Sequence, residues 1–193
     1  MEVLKALKED EKVTVVTTID ALMDGIQSPS RVDEAIIVLR SGDVVDLEKL
    51  KEQLSDMGYD REVQIEGPGQ FAVRGGILDI YPLTEDMPVR IEFWDDEIDS
   101  IRTFDSVTQR SIENREDIII YPASDETGGK EEVSFLNFFD IENSLLFLDE
   151  PSRLYERGET IEEEVRQAQT RREEEEKELR IFSIRKITEL INQ

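Results

Sequence analysis

The sequence contains no cysteine and no histidine among its 193 residues. These absences exclude disulfides, thiolate nucleophiles, imidazole bases, Ser-His-Asp triads and zinc sites built from Cys and His, and they leave carboxylates as the candidate catalytic groups. No apolar run approaches the roughly 18 to 20 residues that a membrane-spanning helix needs, and the N-terminal segment is too charged for a signal peptide. We therefore expect a soluble, cytoplasmic protein, since a chain without cysteine suits a reducing compartment.

Basic residues are scarce relative to acidic ones. The chain has 47 Asp and Glu against 23 Lys and Arg, which gives a formal net charge of −24. Proteins that bind nucleic acids release counterions from the phosphates with Lys and Arg, and anionic membranes attract basic segments in the same way. The composition therefore argues against direct binding of nucleic acid or of a membrane surface.

Residues 28–124 have the pattern of one α+β unit, a helix packed on a small, mostly antiparallel sheet. Asp46 is placed to cap a helix whose apolar residues recur every three or four positions, and Gly58 stands where a left-handed C-terminal cap is favoured. After Gly58 the apolar period changes to two, as expected for strands. Asp95–Glu97 predicts a tight turn between two strands, and a break in the alternation predicts a β-bulge near Ser100.

The flanks of this unit have a different character. Residues 1–27 combine the β-branched run Val13–Thr18 with a following helical turn, which predicts a β-α step. Residues 125–193 comprise a linker, the apolar run Leu145–Leu148, which predicts one buried strand, and a long C-terminal helical segment. The last helix carries an amphipathic stripe over Ile181–Ile191 that must pack against another surface.

Two clusters of carboxylates could suggest chemistry. Leu145–Leu148 leads into Asp149 and Glu150 in the manner of the second nucleotide-binding motif of P-loop ATPases, but the phosphate-binding loop G-x-x-x-x-G-K-[ST] that this motif requires is absent. Asp95–Glu97 is the densest carboxylate cluster on a predicted element, and a hairpin turn explains it. We therefore predict no enzymatic activity, no catalytic residue, no cofactor and no metal site in this chain.

Arginine dominates the cations of the middle unit. Residues 28–124 hold 22 acidic and 10 basic residues, and eight of the ten are arginine, which suits planar, bidentate recognition. For any one arginine an intramolecular ion pair is the default interpretation. Arg74 is the exception. It lies beside Phe71 on a predicted strand flanked by glycines, and Arg61 is predicted on a neighbouring strand. This arrangement predicts a protein-interaction hot spot in which the guanidinium and the ring are exposed.

Several unrelated sequence strings occur in one order along the chain: Gly58–Arg61, Pro68–Pro82, Pro88–Asp105, Thr108–Ser111 and Ile120–Ala123. Over roughly residues 1–124 this arrangement resembles the N-terminal, UvrB-like region of bacterial transcription-repair coupling factors (Mfd). Leu145–Pro151 also resembles the remainder of that region.

The resemblance implies that residues 28–124 correspond to domain 2 of the excision-repair protein UvrB, the module through which both proteins bind UvrA. It implies that residues 1–27 are a remnant of the first ATPase-like subdomain. Arg61, Phe71 and Arg74 stand at positions that match the UvrA-contacting strands of the family. UvrB carries a further arginine at the position of Ala72, so the resemblance implies one polar contact fewer in this chain.

The function that the resemblance implies is a protein-interaction module that binds UvrA and recruits nucleotide excision repair to stalled RNA polymerase. RNA polymerase and DNA would be contacted only by parts of the full-length family that are not in this sequence, among them the translocase motor. The shortening after Ser124 suggests a fragment or a deletion. The alternative is a degenerate, non-hydrolysing nucleotide-binding-like regulatory region that masks the interaction site, and Mg²⁺-dependent ATP binding would favour it.

Overall fold

The computed structural model describes residues 2–8, 12–123, 132–171 and 181–191. The helices are α1 (Glu2–Lys8), α2 (Ile19–Met23), α3 (Pro29–Ala35), α4 (Leu47–Asp56), α5 (Pro151–Arg171) and α6 (Ile184–Ile191), and two 3₁₀ turns span Phe135–Phe138 and Ile141–Asn143. The strands are β1 (Ile26–Gln27), β2 (Ile37–Arg40), β3 (Asp60–Arg61), β4 (Gln70–Arg74), β5 (Ile77–Tyr81), β6 (Val89–Trp94), β7 (Glu97–Phe104), β8 (Ser111–Arg115), β9 (Asp117–Ile120) and β10 (Glu132–Val133).

The chain forms two compact units. The first consists of Met1–Lys5 with Ser30–Gly129, and the second of Ala6–Pro29 with Lys130–Gln193. The division into residues 1–27, 28–124 and 125–193 stays a prediction.

The first unit is organised around a six-stranded sheet with the strand order β3-β4-β5-β6-β7-β8. Every neighbouring pair is antiparallel except β3 and β4, which are parallel. A separate antiparallel pair, β2 with β9, contributes buried side chains to the same core. These observations confirm the predicted α+β class and the mostly antiparallel sheet.

Helix α4 covers the apolar face of this sheet. The Asp46 carboxylate accepts hydrogen bonds from the amides of Glu48 and Lys49 at 3.0 and 3.1 Å, which satisfies two of the free donors of the first turn. Leu50 and Leu54, one turn apart, are buried in the core with the inward residues of the sheet. Gly58 follows the helix at φ 85°, so the predicted cap and the predicted stop are both confirmed.

The hairpin of β6 and β7 carries the predicted irregularities. Asp95 has φ 59°, a left-handed conformation that lets two residues reverse the chain between Trp94 and Glu97. Glu92 pairs with Ser100, whereas the next residue, Phe93, pairs with Ile98, so Asp99 is the extra residue of a β-bulge. The turn and the bulge near Ser100 are thus confirmed.

The second unit buries a helical core. Ile19, Leu22 and Met23 of α2 form one cluster with Ile184 and Ile187 of α6, and partly buried side chains of α5 pack against it. The predicted amphipathic stripe near the C-terminus is confirmed by the burial of Ile184 and Ile187. The part of the chain that the structure describes contains no helix long and apolar enough to cross a membrane.

Two predicted strands are absent from the described residues. Val13–Thr18 has no strand pairing among the described residues, and the Thr18 hydroxyl at its end caps α2 by accepting a hydrogen bond from the amide of Ala21. Leu145–Leu148 also forms no strand, and its leucine and phenylalanine side chains lie in solvent, with Leu145 80% and Phe147 84% exposed. The prediction of a buried strand was wrong because an apolar run becomes a strand only where a neighbouring strand satisfies its backbone.

Candidate protein-interaction face

The six-stranded sheet has one apolar face, and its other face combines charged residues with a small buried cluster of Ile65, Ala72 and Phe104. Alternate residues of β4 to β7 enter the core beneath α4, and the residues between them form the opposite face. Strand register brings five charged residues together on that second face, which we call the arginine face. Its members are Arg74 on β4, Asp79 on β5, Arg90 and Glu92 on β6, and Arg102 on β7.

Asp79 lies at the centre of the arginine face. Its side chain is only 3% exposed, and it accepts hydrogen bonds from Arg90 Nε at 2.6 Å, Arg90 Nη2 at 2.9 Å and Arg74 Nη2 at 2.7 Å. Ala72 on β4 pairs directly with Asp79. Because the side chain of Ala72 is a single methyl group, it leaves room for Arg74 to reach the Asp79 carboxylate. Two guanidinium groups therefore compensate one buried carboxylate, as a buried charge requires.

Arg90 connects the carboxylate to the loop that follows β7. Its guanidinium donates to Gln109 Oε1 at 2.8 Å and lies 4.3 Å from the centre of the Phe104 ring, in a cation–π arrangement. Hydrogen bonding to Asp79 raises the pKa of Arg90 above its ordinary value. Arg90 is therefore a fixed charge held on several sides, and its side chain is 13% exposed.

A second ion pair extends the arginine face toward β7. Arg102 donates to Glu92, and Arg102 Nη2 also lies 3.1 Å from the Ser100 hydroxyl. Both charged side chains of this pair are about one third exposed, so solvent screens their attraction more than it screens the pair at Asp79.

Arg74 is the most accessible arginine of the Asp79 cluster. Its side chain is 46% exposed, and its ion pair with Asp79 is made through a single nitrogen, Nη2. A guanidinium has five N–H donors in a fixed plane, so the donors on its other side face solvent and can meet a second acceptor. Arg74 therefore combines an intramolecular ion pair, the default interpretation of the sequence, with the exposure that an interaction residue needs.

Phe71 does not lie where the sequence suggested. The prediction that its ring is exposed was wrong, because Phe71 is fully buried in the core between the sheet and α4. On β4, Phe71 and Arg74 are three residues apart, and odd spacing along a strand puts side chains on opposite faces. The residues that share the face of Arg74 on this strand are instead Gln70 and Ala72.

Arg61 lies on the neighbouring strand, as predicted. The parallel pairing of β3 with β4 places Arg61 beside Phe71 at the open edge of the sheet, where Arg61 is exposed. No side-chain hydrogen bond or ion pair involving Arg61 occurs among the described residues. Because Phe71 is on the core side, register assigns Arg61 and Arg74 to opposite faces, and the β3–β4 edge separates them.

Sequence reasoning missed Asp79, Arg90 and Glu92 as parts of this face. Each occupies the polar position of an alternating strand, so alternation gives the face to which it belongs but not its neighbours. The lateral neighbours depend on register between strands. The hairpin turns at residues 75–76 and 95–96 indicate this register, because counting outward from each turn pairs Arg74 with Ile77 and Trp94 with Glu97.

The two carboxylate clusters that the sequence raised are structural. Asp95–Glu97 forms the β6–β7 turn, and Glu150 precedes α5, where its carbonyl accepts from the amides of Arg153 and Leu154. Asp149 and Glu150 follow an exposed, unpaired segment and not a buried strand, unlike the arrangement that a nucleotide site needs. Within the described ranges no group of three or more acidic side chains is arranged to hold a metal ion.

Comparison with known proteins shows which family the region containing the sheet is similar to. The family described as UvrB interaction domain matches residues 37–125. The transcription-repair-coupling factor of Bacillus subtilis (strain 168) is 38% identical over 125 residues, which make up 65% of this chain and 11% of that protein. The corresponding protein of Haemophilus influenzae (strain ATCC 51907 / DSM 11121 / KW20 / Rd) is 36% identical over 117 residues, 61% of this chain and 10% of its own length.

A third relative behaves in the same way. The transcription-repair-coupling factor of Staphylococcus aureus (strain bovine RF122 / ET3-1) is 40% identical over 122 residues, 63% of this chain and 10% of that protein. The chain thus spans about a tenth of the length of the curated relatives that it matches. The matched family covers all six strands of the sheet and therefore the whole arginine face.

Proposed function

We propose that this chain binds UvrA through the β3–β4 edge and the arginine face, because residues 37–125 match the family described as UvrB interaction domain and similar proteins are transcription-repair-coupling factors. In this proposal the chain recruits nucleotide excision repair in the cytoplasm to a stalled RNA polymerase. The domain is an interaction module without catalytic function. RNA polymerase and DNA are contacted by parts of the longer relatives that this chain does not include.

The observation that carries the proposal is a cluster of arginines on one face of a strongly acidic protein. With a net charge of −24 the average surface repels an acidic partner. The centre of the arginine face is a local exception, because Arg74, Arg90 and Arg102 lie there with the carboxylates of Asp79 and Glu92. Two further acidic residues, Asp60 beside Gln70 and Glu97 beside Trp94, lie on the same side at its margins. An acidic surface on UvrA is attracted to this patch and repelled by the rest of the chain, so the charges favour one orientation of the complex over the others.

The geometry defines how the two candidate contact residues act. Arg61 and Arg74 are both exposed, but strand register assigns them to opposite faces of the sheet. A partner that contacts both must straddle the open edge, where β3 covers only Gln70 and Phe71 of β4. Phe71 enters the proposal as a core residue that holds this edge in place from beneath.

The alternative of a degenerate nucleotide-binding region has no support in the site. It requires a buried strand that delivers Asp149 and Glu150, and the segment before them is exposed and unpaired. Glu150 is also engaged with Arg153 at 2.8 Å at the start of α5. The acidic pair is therefore best explained as the beginning of a helix.

Titration against purified UvrA tests the proposal, with the chain and three variants checked for folding by thermal unfolding. Arg61→Ala and Arg74→Ala should each weaken binding by roughly 10-fold or more, because exposed arginines at interface centres are frequent hot spots. Glu150→Ala is the matched control, since it removes an exposed charge in the second unit, and it should bind like the unaltered chain. Equal affinity of all four folded proteins would contradict the proposed contact residues, and failure of the unaltered chain to bind UvrA would contradict the function.

A further inference from the structure

Trp94 is the most exposed large apolar side chain of the sheet strands. It ends β6 on the same face as Arg90 and Glu92, and it is 82% exposed. Its indole N–H has no hydrogen-bond partner among the described residues. An exposed tryptophan offers a large apolar ring together with a polar N–H, a combination that is enriched at protein interfaces.

The backbone around Trp94 is held firmly. The amide of Phe93 donates to the carbonyl of Gly76 at 2.8 Å, which joins the β6–β7 hairpin to the turn between β4 and β5. A side chain at position 76 would come within 3.0 Å of the Phe93 carbonyl, so glycine permits this close approach. On the other side of the hairpin, Val45 donates to the Asp96 carbonyl at 2.7 Å and Ile98 donates to that of Asp43 at 2.8 Å.

A rigid backbone matters because it lowers the entropic cost of binding. Trp94 has two side-chain torsions, and its strand is already fixed from both sides, so little freedom is lost when the ring enters a partner's pocket. A preorganised, exposed tryptophan is therefore a favourable anchor. The exposed apolar residues of Leu145–Leu148 lack this feature, since that segment has no strand pairing.

Register also brings Trp94 close to Arg74. Arg74 pairs directly with Ile77, and Ile77 pairs with Glu92, two residues before Trp94 on β6. Trp94 is thus a diagonal neighbour of Ile77, a relation that spans about 7–8 Å and is within reach of aromatic side chains. Arg74, half-buried Ile77 and Trp94 thus follow one another across β4, β5 and β6 as a strip at one end of the arginine face. Glu92 lies beside Ile77, and the acidic turn Asp95–Glu97 lies beyond the strip.

We propose that Trp94 is a binding anchor of this chain, and that UvrA receives its indole ring in an apolar pocket. This inference rests on the proposed function and extends its surface beyond the arginines. Charge complementarity predicts which groups of UvrA surround that pocket. A carboxylate should lie on the side that meets Arg74, and a basic or neutral group on the side that meets Asp95–Glu97. The strip is continuous with the proposed contact surface, so one partner covers both.

The single tryptophan of the chain permits a direct test. Chain labelled with 5-fluorotryptophan gives one ¹⁹F resonance, and a soluble gadolinium chelate should broaden it strongly in the free protein because Trp94 is exposed. Saturation with UvrA should shift the resonance and protect it from broadening. Trp94→Ala should weaken UvrA binding at least about 30-fold without lowering the melting temperature, since an exposed side chain contributes little to folding.

Phe147→Ala is the matched control, because Phe147 is an equally exposed aromatic residue in the second unit and its removal should leave the affinity unchanged. If UvrA binds but the ¹⁹F resonance stays open to the chelate, or Trp94→Ala binds as tightly as the unaltered chain, the anchor is refuted while the proposed function stands. If the folded, unaltered chain fails to bind UvrA, the proposed function and the anchor are both refuted.

Discussion

Removal of the negative charge of Asp79 should destabilise the first unit strongly. Asp79→Asn keeps the shape of the side chain but takes away the charge that compensates Arg90, whose side chain is 13% exposed, and Arg74, which is 46% exposed. Arg74 can turn into solvent and loses little. Arg90 cannot, because its mostly buried guanidinium lies over the Phe104 ring and donates to Gln109.

The expected magnitude follows from these exposures. Removal of one partner of a fully buried ion pair costs about 3–5 kcal/mol, because the other charge stays desolvated. Arg90 keeps its hydrogen bond to Gln109 and some access to water, so we expect about 2–4 kcal/mol for Asp79→Asn. At a urea slope of about 2 kcal/mol per molar, the unfolding midpoint should fall by about 1–2 M.

Urea unfolding should be followed through NMR signals of the core methyl groups of Leu78 and Ile80, so that only the first unit is read. Arg74→Ala is the matched comparison and should shift the midpoint much less than Asp79→Asn. The double variant Asp79→Leu with Arg90→Met should recover part of the loss, because it removes both buried charges together. A midpoint for Asp79→Asn within about 0.5 M of the unaltered chain would refute the reasoning.

Two further predictions concern other parts of the chain. Gly158→Ala should destabilise the second unit by about 1 kcal/mol, although alanine normally favours a helix. The reason is that a methyl group at position 158 would lie 2.6–2.9 Å from three side-chain carbons of Ile184. An increase in melting temperature would contradict the close packing of α5 and α6. Hydrogen bonds from Thr108 lower the pKa of the Asp105 carboxyl group. The stability that the ionised carboxylate contributes to folding should therefore be complete above the ordinary pKa of about 3.9 and be lost as the pH falls through the lowered pKa. An NMR titration of the Thr108 amide with a midpoint above about pH 4 would contradict this.

The sequence predicted those elements whose signals are local. The cap at Asp46, the stop at Gly58, the turn at Asp95–Glu97 and the bulge near Ser100 all depend on residues within a few positions of one another. The structure contains each of them. Period-two alternation likewise assigned the strands, because it reflects one buried and one open face.

Signals that depend on distant partners were less reliable. The apolar run Leu145–Leu148 and the β-branched run Val13–Thr18 have strand composition but pair with no strand in the described ranges. The short distance between Phe71 and Arg74 in sequence suggests that both side chains are exposed together, but a spacing of three residues along a strand puts them on opposite faces. The cluster around Asp79 depends on register across three strands, which composition and spacing leave open.

Hydrogen–deuterium exchange of the chain alone and with saturating UvrA tests the central claim most directly, because it locates the partner surface without any substitution. We predict slower exchange at the open edge, residues 60–62 and 72–74, and in the β6–β7 hairpin around Trp94. Exchange in α5 and α6 should be unchanged. Protection confined to residues 132–171 and 184–191, with none in the sheet, would contradict the assignment of the β3–β4 edge and the arginine face as the binding surface.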